Sequence, residues 1–258
     1  MVLSKENNLI IWTKKSQSEQ DNKSRAWSSK AWSSNLWIKS QLSKIQANKK
    51  KNSLNRNQKI IFDLIEKKSK TNRLLDIGGG LGSFYFSLKK KVSNLDYYIL
   101  EDKKLVNNLK KNKLKNKLKK IKFVKKIPNK SFKIIFLVNT LHYINNWKNL
   151  FEKIIKNQPD YIAIINLPTV NVSNFFGYQK YYSFQIKVRF QNSKKFKLFF
   201  KYKNYNLIKN IIELKSKITK KKYYEKNFFS KKSFKIKSET FIFKNNKIHS
   251  LDLNNCKC

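Results

Sequence analysis

The sequence of 258 residues has few cysteines, histidines, prolines and glycines, with two, two, three and five of each. The cysteines, Cys256 and Cys258, form a C-x-C pair at the end of the chain, where they cannot cross-link a folded domain. This pattern excludes a disulfide framework. We expect a solvated tail there rather than a redox or metal site, and we predict no bound metal.

Long apolar runs are also absent. No run approaches the roughly 18 residues of a membrane-spanning helix, and the longest runs, at 134–138 and 161–165, are short. The first residues lack the apolar core of a signal peptide. We therefore expect a cytoplasmic protein without a transmembrane segment. At 40 % hydrophobic and 14 % aromatic residues, the chain is still apolar enough to fold around a core.

Acidic residues are scarce, with 15 Asp and Glu against 59 Lys and Arg, so the formal net charge is +44. Such an excess is typical of nucleic-acid-binding proteins. Only four of the basic residues are Arg, however, although the planar guanidinium of Arg binds phosphate better than Lys does. The abundant Lys, Asn, Ile, Phe and Tyr share A- and T-rich codons, so we favour a compositional origin over a nucleic-acid role. The surface should still attract anions, including acidic substrates and anionic lipid at a membrane surface.

Four of the five glycines, Gly78, Gly79, Gly80 and Gly82, lie within five positions. An apolar run precedes them and apolar residues at helical spacing follow, which predicts a strand, a tight loop and a helix. Such a loop lets backbone approach a ligand where a side chain would collide. The spacing does not fit a dinucleotide-binding G-x-G-x-x-G, because Ser83 stands where the third glycine would be, and no Lys follows as in a P-loop.

With Asp76, the glycines read D-x-G-x-G-x-G. This pattern resembles motif I of the class I S-adenosylmethionine-dependent methyltransferases. The resemblance implies that the loop wraps the methionine part of S-adenosyl-L-methionine, with Asp76 beside it. It also implies an α/β, Rossmann-like fold with a mostly parallel seven-stranded sheet, an antiparallel last strand and helices on both faces.

A second acidic position follows the next predicted strand, where Glu101 and Asp102 end an apolar run. A carboxylate at this place can accept hydrogen bonds from both ribose hydroxyls. Glu101 lies 25 residues after Asp76, which resembles the spacing of the family's ribose-binding acid, so Glu101 is our candidate. Asp102 is the alternative, or it caps the next helix.

The rest of the chain continues to alternate between strand and helix patterns, which favours a parallel sheet covered on both faces. We expect the strand that begins at residue 160 to stop at Pro168. The predicted helices span 103–120, 147–156 and 194–203, and the predicted strands span 121–127, 132–138, 160–167, 208–214 and 240–243.

The loop after the fourth strand should meet the glycine loop, because ligands bind at the carboxyl ends of parallel strands. It begins with Asn139, which we assign to the cofactor site, and contains His142. Its Leu-His pair resembles small-molecule methyltransferases, and it lacks the Pro-Pro of nucleobase amino-methyltransferases. His142 is the candidate general base for an attacking hydroxyl, and a packing or substrate-contacting histidine is the alternative.

The N-terminal segment, residues 1–58, is predicted to form a cap on the methyltransferase domain, residues 59–258. Four of the five tryptophans, Trp12, Trp27, Trp32 and Trp37, lie in this segment. They fit a lid over the cofactor, since indoles attract a cationic sulfonium or pack on sugar rings, and ordinary docking onto the sheet is the alternative. Residues 169–191, rich in Tyr and Phe, are expected to form an insertion that shapes the acceptor pocket.

A narrower resemblance concerns residues 25–200. The Trp-bearing N-terminal segment, the run Gly79–Tyr85, Glu101 and the run Leu141–Ile144 together resemble a little-characterised methyltransferase family that is often encoded near surface-polysaccharide genes. This resemblance implies methylation of a sugar or glycan-precursor hydroxyl. The alternatives are an RNA methyltransferase, favoured by charge, or a catalytically degenerate binding protein, favoured by the lack of any acid from Lys103 to Phe151 to hold adenine.

Overall fold

The computed structural model describes residues 29–66, 72–111, 118–181, 184–213 and 236–246. Within these ranges, nine strands form one mixed sheet and helices pack on both of its faces. The strands are β1 (Arg73–Ile77), β2 (Asp96–Leu100), β3 (Lys122–Val124), β4 (Ile134–Val138), β5 (Tyr161–Val170), β6 (Phe175–Tyr181), β7 (Phe184–Asn192), β8 (Tyr205–Glu213) and β9 (Lys237–Asn245). The α-helices are α1 (Ser29–Trp32), α2 (Asn35–Lys50), α3 (Arg56–Ile65), α4 (Ser83–Leu88), α5 (Lys103–Lys111), α6 (Trp147–Lys156) and α7 (Ser193–Tyr202).

Seven of these strands have a Rossmann-like arrangement in which one strand is antiparallel to the others. Strands β3, β2, β1, β4 and β5 are parallel neighbours in that order. Strand β9 runs antiparallel to β5, and β8 runs antiparallel to β9, so only β9 opposes the others. The loops after β1, β2 and β4 therefore meet at one edge of the sheet.

The predicted count of seven strands is wrong, because the described residues contain a further hairpin formed by β6 and β7. It falls in the region 169–191, where an insertion is predicted. The hairpin joins the sheet where Thr169 and Val170 pair with Gln191 and Asn192. This junction lies beyond the last pairing of β4 with β5, so the hairpin stands above the carboxyl end of β4.

Strand β5 also runs past Pro168, where the sequence predicts its end. Asn166 adopts a left-handed conformation with φ 59°, and the register with β9 shifts between Ile164 and Leu167. Proline is tolerated at bulges and where one edge of a strand is unpaired. At Pro168 the edge toward β4 is unpaired, because β4 pairs only as far as Ile165 and β7 joins at Thr169.

Hydrophobic cores on the two faces hold the helices to the sheet. On one face, Ile61 of α3 and Leu88 of α4 are completely buried in a cluster with the strand residue Leu74. On the other face, Phe200 of α7 stacks on Phe243 of β9 with ring centroids 4.1 Å apart. The prediction of helices on both faces is confirmed.

None of the described helices is long and apolar enough to cross a bilayer.

The described part of the predicted cap consists of α1, α2 and the start of α3. Helix α2 begins after Ser34, whose hydroxyl accepts the N–H of Trp37, and it packs on α4, where the Asn48 amide donates to the Ser83 carbonyl at 2.9 Å. Helix α3 begins at Arg56, so the predicted boundary between residues 58 and 59 falls inside this helix. Trp12, Trp27 and both cysteines lie outside the described residues.

The predicted helices and strands differ from the observed ones mainly at their ends. Helix α6 matches its predicted range of 147–156. The predicted helix over 103–120 is confirmed for Lys103–Lys111, and residues 118–120 form a turn. Strand β8 begins at Tyr205, three residues before its predicted start.

Candidate cofactor and acceptor site

The glycine loop connects β1 to α4 at the carboxyl edge of the sheet. Gly78, Gly80 and Gly82 have positive φ angles of 71°, 61° and 82°, which residues with a Cβ rarely adopt. The Gly78 N–H donates to the carbonyl of Leu100 at 2.9 Å, and this bond ties the loop to the end of β2. The sequence pattern therefore corresponds to a tight loop whose backbone faces the space above the sheet.

Asp76 lies on β1 directly beneath this loop and is 3 % exposed. The Tyr97 hydroxyl donates to its carboxylate at 2.7 Å. A Cβ on Gly79 would lie 2.3 Å from the same carboxylate oxygen, so only glycine fits there. Burial raises the pKa of Asp76 to about 7, although the hydrogen bond from Tyr97 favours the ionised form.

Glu101 follows β2 and is 7 % exposed. One carboxylate oxygen accepts the N–H of Gly80 at 2.8 Å, and the other accepts the N–H of Asp102 at 3.1 Å. Burial raises the pKa of Glu101 to about 7, while these two N–H groups act to lower it. The Asp102 carboxylate instead accepts the N–H of Lys104 at 2.8 Å, as a residue capping α5 does. The structure thus separates the two acids that the sequence leaves as alternatives.

The loop after β4 forms the third side of the site. Asn139 has a left-handed conformation with φ 53°, and its N–H donates to the Ile165 carbonyl at 3.0 Å. The next residue, Thr140, packs against the glycine loop, since a Cβ on Gly78 would lie 2.3 Å from its methyl group. The loops after β1 and β4 are thereby in direct contact.

A cavity of about 340 Å³ lies between these loops and the cap helix α2. Six of the predicted site residues line it together, namely Asp76, Gly78, Gly79, Gly80, Glu101 and Asn139. The other described residues that line it are Trp32, Trp37, Gln41, Lys44, Ser83, Phe84, Val138, Thr140 and Tyr143. A volume above 300 Å³ suits a drug-sized ligand.

Gly82 and His142 are predicted site residues that do not line the cavity. A Cβ on Gly82 would lie 2.5 Å from Ile121, so the observed contact of this glycine is with the core. His142 is 6 % exposed, lies 4.0 Å from the Tyr143 ring and has no hydrogen-bond partner for Nδ1 within the described chain. Burial lowers its pKa to about 3, so the imidazole is neutral at physiological pH.

Aromatic side chains form one wall of the cavity. The rings of Trp32 and Trp37 lie 6.2 Å apart at 69°, and Trp32 lies 5.1 Å from Tyr143. We call Trp32, Trp37 and Tyr143 the aromatic wall. The Tyr143 hydroxyl donates to the Gln179 amide oxygen of β6 at 2.8 Å, so the hairpin supports this wall.

Gln41 and Lys44 line the cavity but are not among the residues predicted from the sequence. They follow Trp37 by four and seven positions, which places all three on one side of a helix. That spacing is the signal that could have found them. Among the described residues, no group of three or more His, Cys, Asp or Glu side chains is placed to hold a metal ion.

No protein-family model and no curated protein matches this sequence. The fold is similar to that of solved structures. The PH0226 protein from Pyrococcus horikoshii shares 8 % identity over 83 % of this chain and 93 % of that one, with a TM-score of 0.47. An S-adenosylmethionine-dependent methyltransferase from Clostridium acetobutylicum shares 12 % identity over 75 % and 93 %, with a TM-score of 0.42.

A third similar structure is the 1,6-didemethyltoxoflavin-N1-methyltransferase from Burkholderia thailandensis. It shares 10 % identity over 81 % of this chain and 88 % of that one, with a TM-score of 0.46. At identities of 8 to 12 %, the function of this chain has to be inferred from its own site residues.

Proposed function

We propose that this protein is an S-adenosylmethionine-dependent methyltransferase. One observation carries the proposal: the Glu101 carboxylate is hydrogen-bonded to the Gly80 N–H of the glycine loop, inside a cavity that Asp76 and Asn139 also line. This bond holds the acid that follows β2 against the glycine loop that follows β1. A cofactor site built from motif I and a ribose-binding acid requires these two groups to lie together.

The residues present fit this cofactor chemically. Glu101 offers carboxylate oxygens to ribose hydroxyls, which are hydrogen-bond donors. Asp76 lies beneath the glycines that would contact the methionine part, where a carboxylate complements an ammonium group. The aromatic wall suits a cation, because aromatic ring faces attract positive charge. The bound cofactor supplies a methyl group on a sulfonium, which a nucleophile attacks in line.

For the acceptor, we propose a sugar or glycan-precursor hydroxyl. This part of the proposal rests on the resemblance of the sequence, and the aromatic wall supports it because indole faces also pack on sugar rings. No described residue of the hairpin lines the cavity, but the hairpin supports the lining residue Tyr143 through the hydrogen bond to Gln179, which is compatible with its predicted place on the acceptor side.

His142 is the candidate general base within this proposal. Its ring lies next to Tyr143, behind the aromatic wall. A base is effective when its pKa lies near the working pH, and burial lowers that of His142 to about 3. We therefore propose that positioning of the acceptor contributes more to the rate than proton abstraction does.

The proposal is tested by calorimetric titration of the full chain with S-adenosylhomocysteine, with NAD as the control. Micromolar binding of S-adenosylhomocysteine and no binding of NAD is the expected result. Absence of binding to either compound would overturn the enzyme proposal and favour a catalytically degenerate binding protein.

RNA is the second candidate acceptor, and the net charge of +44 favours it. If it is correct, purified protein should retain RNA with an affinity that falls steeply with salt, because each phosphate contact releases a counterion. A slope equivalent to fewer than about two phosphate contacts would remove this candidate.

A further inference from the structure

The cavity contains one cationic side chain among the described residues, Lys44 of the cap helix α2. Lys44 shares a helix face with Trp37 and Gln41, and seven residues of helix place it about 10 Å from Trp37 along the axis. Lys44 is exposed to solvent, so it lies at the rim of the cavity rather than at its floor.

The two carboxylates of the cavity do not neutralise Lys44. Asp76 is bonded to Tyr97, and Glu101 is bonded to the N–H groups of Gly80 and Asp102. None of the ion pairs among the described residues includes Lys44. Desolvation by partial burial lowers its pKa.

A cation at the rim of a ligand cavity that has no acidic partner among the described residues is a binding group for an anion. Lys44 lies on the cap side, whereas the two carboxylates suited to the cofactor, Asp76 and Glu101, lie at the strand ends. We propose that the methyl acceptor carries an anionic group, a phosphate or carboxylate, that Lys44 binds at the cavity rim. This inference rests on the proposed methyltransferase function and narrows its substrate to an anionic sugar or glycan precursor.

The amino-acid carboxylate of the cofactor is the competing occupant. The first experiment therefore compares S-adenosylhomocysteine binding to wild type, Lys44→Gln and Lys39→Gln. Lys39 is the matched control, because it is an exposed lysine of α2 that does not line the cavity. We expect equal affinities. A loss confined to Lys44→Gln would place the cofactor carboxylate on Lys44 and overturn the inference, whereas no binding to wild type would overturn the methyltransferase proposal itself.

The second experiment saturates each protein with S-adenosylhomocysteine and titrates it with glucose 1-phosphate, glucuronate and glucose. Salt of about 150 mM screens attraction to the general basic surface, since the Debye length is then about 8 Å. We expect the anionic sugars to bind wild type and Lys39→Gln about tenfold more tightly than Lys44→Gln, as for a charged hydrogen bond. Equal affinity for the three proteins, or no binding to any, would overturn the inference. The two anionic probes distinguish a phosphate from a carboxylate.

Discussion

Tyr97 holds the carboxylate of Asp76 through a hydrogen bond of 2.7 Å between two neighbouring strands. In the parallel register, Tyr97 lies opposite Leu74, two residues before Asp76, so its side chain reaches along the sheet to the acid. Both residues are buried. The Asp76 carboxylate at the floor of the cavity thus accepts a hydrogen bond from Tyr97 and has little access to water. Its ionisation therefore changes the free energy of unfolding.

The first prediction concerns that coupling. Folding raises the pKa of Asp76 from 3.8 to about 7, so the folded state binds more protons than the unfolded state between these values. The stability of the free protein should therefore fall as pH rises from about 4 to 7. In Asp76→Asn this contribution disappears, and we expect the variant to be about 4 kcal/mol more stable relative to wild type at pH 8 than at pH 4. Urea unfolding at both pH values measures the change.

Comparing the same two proteins at pH 8 and at pH 4 is the control, because any effect of the asparagine that does not depend on pH cancels in the difference. Parallel stability curves for wild type and Asp76→Asn would show that Asp76 does not change its pKa on folding.

The second prediction separates the two acids after β2. Glu101→Gln removes the charge of the residue that lines the cavity, and we expect S-adenosylhomocysteine affinity to fall by about 10- to 100-fold, the range of a charge-assisted hydrogen bond. Asp102→Asn should leave affinity unchanged, and its amide oxygen can still accept the Lys104 N–H at the start of α5. Calorimetric titration measures both. A larger loss in Asp102→Asn would reverse the assignment.

The third prediction contrasts two glycines of one loop. A valine at Gly80 would have its Cβ 3.1 Å from Gln41 and 3.4 Å from Trp37, so the added atoms occupy the cavity. We expect Gly80→Val to keep its circular dichroism spectrum and lose cofactor binding. In Gly82→Ala the new Cβ would lie 2.5 Å from Ile121, and a loss of stability of about 1–3 kcal/mol is expected. Lost binding with unchanged stability in Gly82→Ala would instead support the cofactor role predicted from sequence.

The fourth prediction addresses His142. Because its side chain is buried and its pKa is lowered to about 3, the pH–rate profile of wild type should show no inflection near 6.5 from this residue. His142→Gln is expected to lower stability and to change kcat by less than about tenfold, below the 10²–10⁴-fold typical of a general base. A loss in that larger range with unchanged cofactor affinity would establish His142 as the base.

Local patterns in the sequence predict where the glycine loop and the two acids lie in the fold. The glycine cluster predicts its own loop, because a positive φ angle favours glycine whatever the residue packs against. Gly78 and Gly80 both have positive φ angles. Both ends of helix α6 are predicted correctly. Its apolar residues recur at helical spacing along its length, and the Asn146 side chain caps its first turn. Asp76 and Glu101 are predicted because each lies at the end of a strand that the alternation of strand and helix patterns indicates.

The hairpin, the end of β5 and the packing of the cap helix depend on contacts between distant segments, which a local pattern does not contain. The continuation of β5 past Pro168 depends on pairing of Thr169 with both Gln191 and Lys237. The hydrogen bond from Tyr97 to Asp76 requires the register of two strands. Lys44 is one of many lysines in the sequence, and only the packing of α2 on the loop distinguishes it.

The β6–β7 hairpin is attached to the sheet by two residue pairs at the tip of β5, Thr169 with Gln191 and Val170 with Asn192. The ladders that position Asp76 and Glu101 lie on other strands and share no pair with it. Substitutions or length changes in the hairpin would therefore reshape the wall behind Tyr143 and leave the floor beneath the glycines intact. If the proposed function is correct, the choice of acceptor can change through the hairpin without a change in cofactor binding.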